Sequence, residues 1–223
     1  MKKFFSTLLV FTIVNFIVLS QDDQNNIQFE ESNVQIEKPP YFGLGGGYVG
    51  NFLFLNLDEV NVISKSQGLE DIKSPLYLSG AQGFTAIGLI PNLRVGFAGY
   101  SGFNKVEKQE TYSTTIGLKC EVTYAAFGID YGFVPFKSLA ILPGLNFGWS
   151  KILLNNYKIN QFSWDDLKTS TFTSNTVEGS FWIVQPNVNV EFAATPFLML
   201  RLGVGYPISF GPKWKLNDVV EVA

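Results

Sequence analysis

Histidine is absent from all 223 residues, so neither a Ser-His-Asp nor a Cys-His nucleophile can be built, and imidazole acid-base chemistry and histidine metal sites are excluded with them. Cysteine occurs once, as Cys120, which rules out an intrachain disulfide and a CxxC metal or redox pair. Charge is scarce. Asp, Glu, Lys and Arg together make up 16% of the chain, low for a soluble domain. The net charge is −3 and only two cations are arginines, Arg94 and Arg201, so a nucleic-acid footprint is not expected. Hydrophobic residues make up 46% and aromatics 15%, and the length suits one large all-β domain. No enzyme activity, cofactor or metal is called for.

Lys2 and Lys3 precede an uncharged apolar run from Phe4 to Leu19, followed by Gln21-Asp22-Asp23. This is the pattern of a secretory signal peptide, and Val18 and Ser20 suit cleavage after residue 20. The run is short for a spanning helix, so an uncleaved anchor is the weaker reading. Residues 21–40, with five acidic side chains and Pro39-Pro40, read as an acidic flexible linker. Residues 41–223 form the remaining domain.

From Tyr41 onward the chain alternates with period two, the mark of strands. Trp182, Val184, Pro186, Val188, Val190 and Phe192 alternate with Gln185, Asn187, Asn189 and Glu191, and Leu198, Leu200, Leu202 and Val204 alternate with Arg201 and Gly203. Seven strands are expected, at about 41–57, 75–90, 93–104, 111–134, 138–154, 177–193 and 197–211. Within the fourth, apolar residues hold even positions from Ile116 to Tyr124 and odd ones from Phe127 to Phe133. Tyr-Ala-Ala is a poor turn, so one long strand with a β-bulge near Ala125-Ala126 is expected.

Short turns at Pro91-Asn92, Pro135 to Lys137 and Ala194 to Pro196 alternate with longer links at 58–74, 105–110 and 155–176. An up-and-down meander puts all the short turns at one end and all the long links at the other, the layout of outer-membrane barrels. The face opposite the apolar one is mostly Gly, Ala, Ser and Asn, which suits a crowded lumen better than a wet surface. Tyr41, Phe133, Phe192 and Phe197 would mark one membrane interface, and Trp149, Trp182 and Phe210 the other. Ordinary β-core aromatics remain the alternative.

Together with the leader, the Gly43 to Tyr48 run, the Pro91 to Gly96 passage and the Pro196 to Phe210 strand, this chain resembles the small outer-membrane β-barrel proteins of the OmpA and OmpX type. The resemblance implies an antiparallel up-and-down transmembrane barrel in the bacterial outer membrane, with membrane lipid and the barrel-assembly machinery as partners. It implies a non-enzymatic anchor whose external loops make surface contacts with a partner the sequence does not name. Such proteins usually end on a strand with a terminal aromatic, whereas this sequence reads Asp218 to Ala223 there, so the eighth strand is expected to be missing. From another class, a secreted or periplasmic lipocalin-like barrel holding an apolar ligand alternates as well, with its apolar face inside.

In a narrow lumen isolated charges are costly, so they should pair. Arg94 and Asp130 fall on adjacent strands near the short turns, as do Glu191 and Arg201, and these four are expected to form a plug of ion pairs, with Lys119 and Glu121 higher up. The plug reads either as a gate or proton-sensitive constriction or as a satisfied polar core. Gly45, Gly47 and Gly50 formally fit GxGxxG, but a strand continues after them and no helix opens, so dinucleotide binding is rejected. The acidic pairs Asp58-Glu59, Glu70-Asp71 and Asp165-Asp166 are either loop cation ligands or solvated loop charges. Tyr157, Phe162, Trp164 and Phe172 offer either a partner surface or a cover for the barrel rim.

Overall fold

The computed structural model describes residues 11–17, 43–112, 114–136, 138–160, 173–195, 198–217 and 220–221. The fold is all-β, as expected: an antiparallel up-and-down sheet curled into a barrel-like fold. The elements are β1 (Phe11–Ile17), β2 (Leu44–Leu53), α1 (Asp58–Ser66), β3 (Leu76–Ala86), β4 (Leu93–Thr111), β5 (Thr114–Tyr131), β6 (Phe133–Phe136), β7 (Leu139–Asn160), β8 (Thr173–Thr195), β9 (Leu198–Gly205), β10 (Ile208–Leu216) and β11 (Val220–Glu221). β6 prolongs β5 along β7, and β10 prolongs β9 along β8. The linker at 21–40, Tyr41, Phe197 and most of the loop after β7, including Phe162, Trp164, Asp165, Asp166 and Phe172, lie outside the described residues.

An odd number of up-and-down strands leaves the first and last parallel. β2 and β9 therefore cannot form an antiparallel pair with each other, and closure needs one strand running against both. β1 occupies that position, pairing with β2 from Phe11↔Phe52 to Asn15↔Tyr48 and with β9 from Thr12↔Gly203 to Ile17↔Leu198. The eighth place in the sheet is thus held by a segment within the stretch read as a leader.

Three expectations about the strands change. The bulge near Ala125-Ala126 is absent, because the β4–β5 register runs without a shift from Leu93↔Tyr131 to Gln109↔Thr115 and the β5–β7 register is unbroken too. The link expected at 105–110 is strand, and β4 turns into β5 within two residues. The link at 58–74 contains α1, which the sequence reading missed.

The parity flip in β5 is real and has a physical cause. Near the short turns, Phe127 and Ile129 point outward and are exposed, while Asp130 points inward. Beyond Ala126, Leu118, Cys120 and Val122 point inward into a core with Leu53, Leu57, Leu69, Ile72, Leu76 and Leu78. At the turn end the apolar face is the outer wall; at the loop end it is the inner one. A straight strand crosses between the two environments, and no inserted residue is needed.

The loop carrying α1 closes the far end of the sheet over that core. Leu57, Leu69 and Ile72 bury their side chains there, and Asn61 locks the return by exchanging hydrogen bonds with the Ile72 backbone, accepting at 2.8 Å and donating at 3.3 Å. Asp58 and Glu59 occupy the first turn of α1 and Lys65 the last, the arrangement its macrodipole favours.

Tight curvature is visible at the inward glycines. A Cβ on Gly148 would lie 2.0 Å from the Ala125 carbonyl oxygen and 2.5 Å from the Ala126 Cα. Only a residue without a side chain lets the β5 backbone come so close. Gly148→Ala is expected to cost about 1–3 kcal/mol through overpacking, read as an earlier thermal unfolding transition; Gly43→Ala, with nothing within 4 Å, should leave it unmoved.

Candidate functional site

Four charges gather inside the turn end. Arg94 from β4 donates from Nη1 and Nη2 to the two Glu191 carboxylate oxygens on β8 at 2.9 and 2.8 Å. Arg201 from β9 donates from Nη2 to Asp130 Oδ2 on β5 at 2.6 Å. The remaining contacts are longer, with Arg201 Nε 3.2 Å from Glu191 Oε1 and Arg94 Nη2 3.8 Å from Asp130 Oδ2. Arg94 and Glu191 are fully buried, and Arg201 and Asp130 nearly so.

The expected partners were strand neighbours, Arg94 with Asp130 and Glu191 with Arg201. Those pairs stand directly opposite in the ladders, yet the shortest bonds run across the lumen instead. Each arginine also approaches the carboxylate beside it, but the curl brings the opposite wall within reach of its guanidinium and the shorter bonds form there. The result is an alternating, neutral four-membered cycle with one bidentate pair, the geometry guanidinium favours. The Arg94 guanidinium also lies 3.9 Å above the Phe84 ring, a cation–π contact.

Above the cycle the interior is polar and uncharged. Tyr100 and Tyr124 stack at 4.4 Å, the Tyr124 hydroxyl donates to Gln185 at 2.6 Å, and Asn189 donates to Asn187 at 2.7 Å. A cavity of about 50 Å³ lies among these groups and Asn51, Gln82 and Arg201, room for a few waters. Beyond it comes the apolar core under α1. Ionic, polar and apolar layers succeed one another along the axis.

Lys119 and Glu121 are not in the lumen. They sit on the opposite side of β5 from Leu118, Cys120 and Val122, about two-thirds shielded, and pair with each other at 2.7 Å. Their expected inward facing followed from the assumed bulge. Removing the bulge turns both outward, where the Lys119 ammonium lies 4.4 Å from the centroid of Phe103.

The outer wall at the turn end is apolar. Phe127 is 63% exposed, and Phe97, Leu145, Phe147, Leu202 and Val188 are exposed as well. Trp149, Trp182 and Phe210 stand in one cross-strand row. One step beyond that row, Lys151 follows Trp149 and Ser180 precedes Trp182 on the same face. Phe133 and Phe192, expected at the other boundary, are also exposed.

Further along the outer wall, Tyr157 donates its hydroxyl to Glu107, which also accepts from Lys105. Burial, reinforced by the hydrogen bond to the carboxylate, pushes the Tyr157 phenol up to about 12. The Lys105 and Tyr157 hydrogen bonds hold the Glu107 carboxyl below its ordinary value. A raised phenol stabilises the fold below its unfolded pKa and loses that contribution as pH climbs through the folded one. An absorbance titration of the phenols should therefore lose one late-ionising group, near pH 12, in Tyr157→Phe.

Among the described residues no group of three or more Asp, Glu or Cys is placed to hold a metal ion, and no helix is long and apolar enough to cross a membrane, which says nothing of crossing by strands. No family model matches the chain, and no match was found among curated proteins or solved structures.

Proposed function

We propose that the chain is a non-enzymatic integral outer-membrane β-barrel protein, an anchor that carries its loop-end extension outside the membrane. The observation that carries this reading is the reversed polarity of the turn-end half: buried charges inside, exposed phenylalanine, leucine and tryptophan outside. A lipocalin-like barrel needs the opposite, an apolar interior to hold its ligand and a polar wall to face water.

The dimensions support it. From Leu139 to Trp149 the outward side chains of β7 are apolar. Ten residue steps at about 3.3 Å, tilted by about 40°, span roughly 25 Å, the height of an outer-membrane apolar band. The filled interior favours anchoring over transport, since about eight strands leave a lumen just wide enough for side chains.

Extraction tests the reading. The protein should sediment with membranes, require detergent for release, and migrate differently on gels before and after boiling. Release by osmotic shock without detergent would overturn it in favour of the soluble binding module.

A further inference from the structure

The sheet closes through a single short strand. β2 and β9 run in the same direction, and β1 (Phe11–Ile17) stands between them, antiparallel to both. Neither ladder contains a register shift: Phe11 to Asn15 face Phe52 to Tyr48 on one side, and Thr12 to Ile17 face Gly203 to Leu198 on the other. Val14 joins this seam to the ionic cycle, because it stands opposite Val49 on β2 and Arg201 on β9.

The residues that flank β1 are buried: Val49 and Asn51 on β2, Met199 and Arg201 on β9. Without β1, a gap of about two strand spacings, roughly 10 Å, would open beside them. Water would reach Arg201, and the facing N–H and C=O groups of both strands would lose their partners. Open sheet edges are not tolerated in hydrocarbon.

The composition of the segment is that of a strand. Phe11, Thr12, Ile13, Val14, Phe16 and Ile17 are aromatic or β-branched, and Asn15 alone is neither. Such residues favour a pleated sheet, and the β-branched ones are restricted in a helix. A leader needs only an apolar run of this length, so the same residues support both readings, and the two-sided pairing separates them.

We propose that residues 11–17 remain in the folded protein as its closing strand instead of being lost by cleavage after residue 20. The place of the eighth strand is then filled from the N-terminal side of the chain. An apolar run can direct export first and pair as a strand afterwards, so retention leaves the outer-membrane reading intact. Retention follows from the closed sheet; a lipid environment raises the cost of an open seam.

The test expresses the full chain with export in a diderm host and recovers the folded protein from membranes with detergent or, if it is released there, from the osmotic-shock fluid. Its intact mass should include residues 11–17. In a Cys120→Ala background, Asn15→Cys with Tyr48→Cys, and Asn15→Cys with Leu200→Cys, place thiols at facing positions, within the Cα separation that a disulfide spans. Both pairs should link on oxidation, read as the loss of two maleimide-reactive thiols. Asn15→Cys with Phe52→Cys, out of register, should keep both. Val14→Pro removes an N–H from a strand paired on both sides and should lower the unfolding temperature; in a chain that has lost its first 20 residues it would change nothing. A mass beginning at Gln21, free thiols in both facing pairs, or an unmoved unfolding temperature in Val14→Pro each overturns retention. Protein that requires detergent and begins at Gln21 overturns retention alone. Protein released by osmotic shock with both links formed overturns the membrane reading and leaves the closing strand standing.

Discussion

Arg201→Met is expected to destabilise the protein by about 3–5 kcal/mol, because it removes one partner from a buried ionic cycle and leaves carboxylate charge without compensation. Asp130 would then keep only the Arg94 contact at 3.8 Å, and Glu191 would be left with Arg94 alone. The double variant Arg201→Met with Asp130→Asn should recover much of the loss, since one arginine and one glutamate in a bidentate pair again sum to zero. The temperature at which the unboiled gel mobility disappears measures both. Equal stability of Arg201→Met and wild type would mean that the four charges do not act as one unit. Recovery in the double variant would show that uncompensated charge, rather than lost packing, is the cost.

Leu145→Arg is expected to cost about 2–4 kcal/mol in a bilayer, the cost of a cation near the midplane on the lipid face of a barrel. Leu145 lies about midway between Leu139 and Trp149, is half exposed, and stands across from Ile129 and Pro186. The sign of the effect separates the two environments. In water, replacing a half-exposed leucine with arginine is close to neutral; in lipid the same change should impair folding into vesicles and lower the stability of whatever folds.

Much of this architecture is legible in the sequence, and the reason is local. Trp182 to Phe192 alternates cleanly because both of its faces keep one environment throughout, an exposed apolar wall outside and a packed, mostly polar interior inside. The turn at Asn92 is legible too, Asn92 adopting the positive φ of 64° that its residue type tolerates. What pattern could not supply was a change of environment partway along a strand. The odd-to-even switch between Phe127 and Tyr124 is the signal of such a change, and an inserted residue produces the same signal; only the unbroken pairing of Ala125 with Gly99 and Trp149 separates them. Reading it as a bulge turned Lys119 and Glu121 inward. The ion pairs were harder still, because residue positions name the four charges but the curl of the sheet decides who reaches whom. Helix α1 is short, and the buried apolar residues of its loop, Leu57, Leu69 and Ile72, all lie outside it, so no helical period announces it.

Tryptophan quenching by lipids brominated along their acyl chains tests most directly whether the apolar outer wall lies in lipid. Trp149 and Trp182 are half exposed on the outer wall, so in a variant with Trp164 and Trp214 replaced by phenylalanine they alone report on what touches it. Strong quenching is expected once the chain has folded into brominated vesicles. Undiminished fluorescence from folded protein, with Trp149 and Trp182 shielded from the acyl chains, would contradict it.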